Sequence, residues 1–144
     1  MAVATSVLAD NAAQLRRLEA VVARLGPRDR DLGSGWTAGV ALAHLAFWDR
    51  RAALFLDYWQ RHGTGPNERH DADILNAALL DEWRLLSVRE SGRLAVSAAN
   101  SVNTAVEALD DTTADAIIAG GHDRLLHRAR HRREHIDQIE SALE

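Results

Sequence analysis

Three histidines have the spacing and surroundings of metal ligands. His44 lies in the apolar stretch VALAHLAFWDRR, residues 40–51, where its neighbours indicate a buried helix face. His131 and His135 lie four residues apart, so on a helix they share one face and can chelate one ion. Three neutral imidazoles leave coordination positions open for water or substrate. This ligand set suits zinc, nickel, iron or copper, and we expect zinc or nickel.

His127 continues the four-residue spacing toward the N-terminus of the same predicted helix. It would lie about 12 Å along the axis from His135, too far for the two residues to share an ion. An apolar stripe marks the inward face of this helix: Leu125, Ala129, Ile136, Ile139 and Leu143. His135 borders that stripe, and His131 lies one turn before it. We therefore expect His131 and His135 to be ligands and His127 to be their neighbour.

Each histidine also has an ordinary structural interpretation. His44 could be a buried imidazole that is hydrogen-bonded to a backbone or side-chain partner. The last helix could present a solvated, arginine-rich surface on which histidines alternate with charges. His62, His70 and His122 fall in loops or at helix ends, where surface or capping roles are expected and no chemistry is assigned.

Three other residues border the candidate site. Trp48 follows His44 by one helical turn and either walls a cavity or belongs to the core, and we expect the core. Asp49 could orient an imidazole ligand through a hydrogen bond, but we expect it to form an ordinary surface ion pair. Glu134 points about 100° away from its neighbour His135 on an ideal helix, which makes it a poor metal ligand.

The composition excludes several kinds of site and partner. The 144-residue chain has no cysteine, which removes disulfides, thiolate zinc sites and cysteine nucleophiles. All 17 basic residues are arginine, which removes lysine catalysis. The net charge is −4 and the arginines are spread along the chain, so we expect no nucleic-acid partner. Without a basic leader or a run of about 18 apolar residues, we expect no membrane partner and a cytoplasmic location.

Helix signals in the first half of the chain predict two long helices. Apolar residues recur at three-and-four spacing from about Ser6 to Leu25, before a Gly-Pro pair that stops the helix. After a polar link, Thr37 can cap a second helix that continues to Gly63 and carries His44. The alternation typical of strands never persists for more than a few residues.

The second half begins with a short helix and a capping signal. Residues 71–86, DADILNAALLDEWRLL, predict the short helix. Ser87 with Glu90 three residues on predicts a capping box that opens a long helix through about Leu109. Two helices in near succession are therefore expected rather than one long rod.

The remaining residues complete an all-α pattern. Residues 110–121 predict a helical turn that ends at two glycines, and residues 122–144 predict the final helix. Four long helices, with a short extra helix before the third, pack most simply as a four-helix bundle whose facing helices can build a site. We expect a single domain over residues 1–144, long enough to bury a core without disulfides or metals.

Two segments together resemble the DinB-like superfamily of small helical bundles, which includes YfiT-like and mycothiol-dependent maleylpyruvate isomerase proteins. The segments are GWTAGVALAHLAFWD and, far downstream, HRREHIDQI. In the first, Trp36 and Thr37 resemble the opening of the family's second helix, and His44 resembles its first metal ligand. In the second, His131 and His135 resemble the terminal ligand pair, which precedes Gln138 and Ile139. The middle segment, with Asn76 and Trp83, is also similar.

This resemblance implies an up-down-down-up bundle, commonly a homodimer, with a divalent metal between its helices. Characterised relatives include thiol-dependent isomerases and transferases that use mycothiol, bacillithiol or glutathione. The implied function is thus a metal-dependent thiol transferase or hydrolase acting on a small molecule, with the thiol supplied by a low-molecular-weight cofactor. A metal-binding protein without turnover and a structural helical dimer with an empty site are the alternatives.

Overall fold

The computed structural model describes residues 3–67 and 71–144. Within these residues the protein is mostly helical, with six α-helices, one 3-10 turn and one two-stranded hairpin. The elements are α1 (Thr5–Leu25), β1 (Asp31–Gly33), β2 (Trp36–Thr37), α2 (Ala38–His62), α3 (Ala72–Leu85), α4 (Val88–Ala108), α5 (Asp111–Ala119), the 3-10 turn (Asp123–Leu125) and α6 (Ala129–Leu143). The surface or capping role expected for His70 falls outside the described residues. None of the helices in the described ranges combines the length and apolarity needed to cross a membrane.

Side-chain caps start α2 and α4 where the sequence predicts. Thr37 Oγ1 accepts a hydrogen bond from the backbone N–H of Val40 at 3.2 Å. The predicted capping box is confirmed, since Ser87 Oγ accepts from the Glu90 N–H at 3.1 Å and Glu90 Oε2 accepts from the Ser87 N–H at 3.0 Å. This cap separates α3 from α4, as expected. At the other end of α2, Gly63 adopts a left-handed φ of 73° and ends the helix.

The core lies between α1, α2, α4 and α6. Helix α2 packs along α4, and α1 packs against both α4 and α6. Fully buried apolar side chains from all four helices meet there: Leu18, Val21, Leu42, Leu45, Ala99, Ile136 and Ile139. Burial of each leucine or isoleucine stabilises the fold by about 1.5–3 kcal/mol. The same packing brings α6 alongside α2, the helix that carries His44.

A short hairpin occupies the polar link between α1 and α2, which the sequence does not predict as strand. Strands β1 and β2 pair antiparallel, with Gly33 opposite Trp36. Ser34 and Gly35 form the turn with φ values of 57° and 79°. Strands of two or three residues are too short for an alternating pattern to reveal them. The hairpin fixes Trp36 at the entrance to α2.

The final helix is shorter than predicted. The sequence predicts one helix over residues 122–144, but a 3-10 turn comes first and α6 begins only at Ala129. The buried Asn11 side chain on α1 accounts for this start. Its Oδ1 accepts from the Ala129 N–H at 2.9 Å, and its Nδ2 donates to the Leu126 carbonyl at 2.8 Å. A side chain far away in sequence thus provides the cap.

The late start of α6 separates His127 from the other two histidines. His127 precedes the helix, so the prediction that it shares a helix face with His131 and His135 is wrong. Its Nε2 instead lies 3.4 Å from a carboxylate oxygen of Asp10 on α1. Only the pair His131 and His135 keeps the i, i+4 geometry that a shared ligand site requires.

Candidate metal centre

The three predicted ligands meet between α2 and α6. His44 lies on the second turn of α2, and His131 and His135 lie on the first two turns of α6. Their candidate ligand atoms all lie within 4.8 Å of one another. The ring centroids of His44 and His131 are 4.7 Å apart, and those of His131 and His135 are 5.0 Å apart. The cluster could therefore hold a metal ion.

Amide oxygens orient two of the three imidazoles. His44 Nδ1 lies 3.2 Å from Asn76 Oδ1 on α3, and His135 Nδ1 lies 3.0 Å from Gln138 Oε1. Because an amide oxygen only accepts hydrogen bonds, each Nδ1 carries the proton and each Nε2 keeps its lone pair. Such partners of metal-bound histidines fix the tautomer and the ring orientation.

The imidazoles of His44 and His131 approach each other closely. Their Nε2 atoms are 2.7 Å apart. Since the His44 Nδ1–H donates to Asn76, the His131 Nε2–H must be the donor in this contact. Two nitrogens bound to one tetrahedral zinc at about 2.0–2.1 Å would lie about 3.3 Å apart, so the rings would part by about 0.6 Å on binding. Small side-chain rotations supply such a shift.

Burial keeps the three imidazoles neutral. Loss of hydration and then the nearby His135 lower the pKa of His44 to about 3, although the hydrogen bond to Asn76 opposes the change. The same burial, with the neighbouring imidazoles and then Arg128, lowers the pKa of His131 to about 2. Burial also lowers the pKa of His135. Neutral imidazole is the form that binds metals, so near pH 7 the cluster would release no net proton on binding, although the His131 proton would have to move from Nε2 to Nδ1 for Nε2 to become a ligand.

Tryptophans surround the cluster. The ring centroids of Trp36 and Trp83 lie 5.0 Å and 5.5 Å from that of His44, and Trp36 also stacks on His135 at 6.0 Å. Trp48 is half-buried, and its Nε1–H donates to Asn76 Oδ1 at 2.9 Å. We expected this residue in the core, but it lines a cavity. These rings shield the imidazoles from water. Asn76 Oδ1 accepts hydrogen bonds from both His44 and Trp48.

Asp49 lies in the interior, and the expectation of a surface ion pair is wrong. Its side chain is 1% exposed. One carboxylate oxygen accepts from Arg128 Nε at 2.9 Å and the other from Arg132 Nε at 3.1 Å. The physical reason is the position of the two arginines: Arg128 directly precedes α6 and Arg132 lies four residues later, so both guanidinium groups reach Asp49 on α2. Asp49 therefore binds these arginines and orients none of the three imidazoles of the cluster.

Arg132 is the residue that the sequence reasoning missed. It is 0% exposed, and its remaining N–H groups donate to the carbonyl of Asn11 at 3.1 Å and to that of Ala99 at 3.4 Å. The three-and-four spacing of the apolar residues on α6 places position 132 on the buried face. An arginine between a histidine and another arginine nevertheless resembles a solvated surface.

A cavity of about 720 Å³ adjoins the cluster. His44 and His131 line its inner end together with Asn76, and Glu134 lines it as well. Glu134 thus faces the cavity next to His131, although it is not part of the three-histidine cluster. Ligand pockets typically have volumes of about 300–1,000 Å³. A small molecule could therefore reach a metal ion from this side.

Besides His127, two described histidines lie outside the cluster. His62 is exposed at the end of α2 and packs against Tyr58, with ring centroids 4.2 Å apart. His122 is exposed just before the 3-10 turn and contributes to the cavity wall. The donor set of three neutral imidazoles, two of them buried and one half-buried, with an adjoining cavity fits a metal ion that keeps an open coordination position. No protein-family model, curated protein or solved structure matches the chain.

Proposed function

We propose that the chain binds one divalent transition metal ion, zinc or nickel, through His44, His131 and His135. The observation that carries this proposal is the meeting of three neutral imidazoles from two helices within 4.8 Å. Amide oxygens already hold the Nδ1 atoms of His44 and His135, which leaves their Nε2 lone pairs for the ion. Neutral nitrogen ligands of this number and type are those of catalytic zinc sites.

The proposed role of the ion is Lewis-acid catalysis in a thiol transferase or a hydrolase. Three neutral ligands leave the full double positive charge on the ion, which lowers the pKa of a bound thiol or water and polarises a carbonyl. The cavity beside His44 and His131 offers room for a substrate. Because the chain has no cysteine, the thiol would be a low-molecular-weight cofactor such as mycothiol, bacillithiol or glutathione.

We further propose that α1, α2, α4 and α6 form a DinB-like four-helix bundle with up-down-down-up topology. The packing of α2 on α4 and of α1 on α4 and α6 supports this arrangement. So do the contacts of Trp36 and Asn76 with His44, since the resemblance singles out both residues. A homodimer in solution belongs to the same proposal, and sedimentation velocity tests it.

Metal analysis tests the proposed ligands. Protein purified without a nickel column should hold about one equivalent of transition metal after dialysis against zinc or nickel. His44→Ala and His131→Ala should each abolish uptake while circular dichroism shows unchanged helicity. His62→Ala replaces an exposed histidine outside the cluster and should bind like the wild type. Uptake below about a tenth of an equivalent by the wild-type chain would overturn the proposal and favour a structural bundle.

Thiol binding separates an enzyme from a metal-binding protein without turnover. Cobalt-loaded protein should change its visible absorption when the correct thiol binds through sulfur, because thiolate is a strong ligand for such ions. Mycothiol, bacillithiol and glutathione are titrated in turn. No spectral change with any of them would remove the thiol-transferase proposal and leave metal binding intact.

A further inference from the structure

The cavity beside the histidine cluster has walls of unequal character. Its apolar wall comes from the second half of α2 and contains Trp48, Phe55 and Trp59. The opposite wall comes from the 3-10 turn and the start of α6, and it carries Arg124 and Arg130. His44 and His131 also line the cavity. A ligand here would meet aromatic rings on one side and guanidinium groups on the other.

Positive charge dominates the described part of the cavity lining. Four arginines line it, Arg51, Arg124, Arg128 and Arg130, whereas Glu134 is the one acidic lining residue among residues 3–67 and 71–144. This concentration contrasts with the net charge of −4 of the whole chain. Clefts lined by charge of one sign raise the local concentration of ligands of the opposite sign. The lining therefore favours an anion.

The arginines differ in how they are held. Arg128 is bound from behind by Asp49, which does not line the cavity, and it also donates to the Arg124 carbonyl at 3.0 Å. Arg51 lies over Phe55, with its guanidinium carbon 4.1 Å from the ring centroid. Arg124 and Arg130 line the cavity and are exposed, so their planar groups can meet an incoming carboxylate or phosphate.

The aromatic side chains of the cavity indicate that the ligand also has an apolar part. Trp59 is 8% exposed and packs under the loop at Gly65, where an added Cβ would lie 2.8 Å from the indole. Phe55 and Trp48 continue this surface toward His44. Apolar and aromatic surfaces with a few polar groups are typical of sites for small organic ligands.

We infer that this cavity binds a small organic acid, with its anionic group on Arg124 and Arg130 and its apolar part against Trp48, Phe55 and Trp59. The far end of such a ligand points toward His44 and His131. The identification of this acid as a substrate or thiol cofactor rests on the proposed metal function, whereas its binding does not. Carboxylate and phosphate share the chemistry that arginine recognises, and the experiment separates them.

Binding is measured by titrating the isotope-labelled, metal-free 144-residue chain and following the indole N–H signals of Trp48 and Trp59. The probes are benzoate, phenyl phosphate and, as the neutral analogue, benzyl alcohol. Benzoate or phenyl phosphate should shift both signals saturably, and the tighter of the two identifies the anionic group. Benzyl alcohol cannot form the charge-assisted hydrogen bonds, so it should bind about tenfold or more weakly than the preferred anion.

Matched arginine variants test the assignment of the anionic end. Arg124→Gln and Arg130→Gln should each lower the affinity for the preferred anion about tenfold. Arg133→Gln changes an exposed arginine on α6 that does not line the cavity, and it should bind like the wild type. Three results would each overturn the inference. They are binding of benzyl alcohol as tight as that of the preferred anion, binding of that anion to the Arg124→Gln/Arg130→Gln double variant as tight as to the wild type, and the absence of any saturable shift.

The same protein preparations separate this inference from the proposed metal function. Zinc uptake without anion binding would overturn the anion site and leave the metal proposal standing. Anion binding without zinc uptake would support the anion site and overturn the metal proposal. The two results are independent because the titration uses metal-free protein.

Discussion

Asp49 on α2 accepts a hydrogen bond from Arg132 on α6 at 3.1 Å, and neither side chain reaches water. Arg128 occupies the other carboxylate oxygen at 2.9 Å. The candidate ligands bridge the same two helices, since His44 lies five residues before Asp49 and His131 directly precedes Arg132. The ion pair therefore holds α2 and α6 in the register that brings the imidazoles together.

Asp49→Asn should destabilise the protein by about 3–5 kcal/mol, because it leaves two buried guanidinium groups without their counter-charge. Urea denaturation measures the change in the free energy of unfolding. Asp57→Asn is the control, since Asp57 is exposed and pairs with Arg61 on the surface of α2. That change should cost less than about 1 kcal/mol. Equal stabilities of the two variants would contradict the structural role of Asp49.

Asn76→Ala should weaken metal binding about 10- to 100-fold, because the hydrogen bond that orients His44 through Nδ1 is lost. Competition with a chromophoric chelator measures the affinity for zinc. Asn100→Ala removes an exposed amide side chain that donates to the carbonyl of Val96 on its own helix, and it should leave the affinity unchanged. An Asn76→Ala affinity equal to that of the wild type would show that His44 needs no such support.

Asn11→Ala should destabilise the first turn of α6. The substitution leaves the Leu126 carbonyl and the Ala129 N–H without their buried partner, and each such group costs about 1–3 kcal/mol. Hydrogen exchange should accelerate at Ala129 and the following α6 amides more than in α4. Uniform acceleration over all helices would instead indicate only a general loss of stability.

The metal-free protein should lose stability as the pH falls below about 6.5, the ordinary histidine pKa. In the folded state the pKa of His44 is about 3 and that of His131 about 2. Below about pH 6.5 these two histidines are therefore protonated in the unfolded chain and neutral in the folded chain. Stability is therefore complete above the unfolded pKa and declines as the pH falls toward the folded values.

Urea denaturation in the presence of a chelator measures this pH effect. Between about pH 7.5 and pH 5.5 we expect a loss of about 1–3 kcal/mol from the two histidines. The double variant His44→Gln/His131→Gln removes both groups and should show a smaller loss. Identical losses in the wild type and the double variant would assign the effect to other groups.

Local signals predicted most of the secondary structure. The caps at Thr37 and Ser87 and the stop at Gly63 act within three or four residues, so the sequence alone reveals them. The start of α6 depends on Asn11, 118 residues before Ala129, and no local pattern reports a cap from another helix. The sequence consequently predicts a start of the final helix that is too early.

The candidate site shows the same division between local and long-range information. His44, His131 and His135 were named from spacing and apolar context, and the structure places them together. The pair of Asp49 and Arg132 was not predicted, although each occupies a core position in the three-and-four spacing of its helix. Two opposite charges can replace apolar residues in a core only if they face each other. That condition depends on the packing of α2 against α6.

The tryptophans around His44 have a practical consequence. Three of the four tryptophans in the chain, Trp36, Trp48 and Trp83, have ring centroids 5.0–6.3 Å from the His44 ring. Their ultraviolet emission should therefore respond directly to an ion bound at His44. Nickel, with its partly filled d shell, should quench this emission, whereas zinc has a filled d shell and should leave most of it. The protein thus contains a built-in optical indicator that distinguishes the two ions without an added dye.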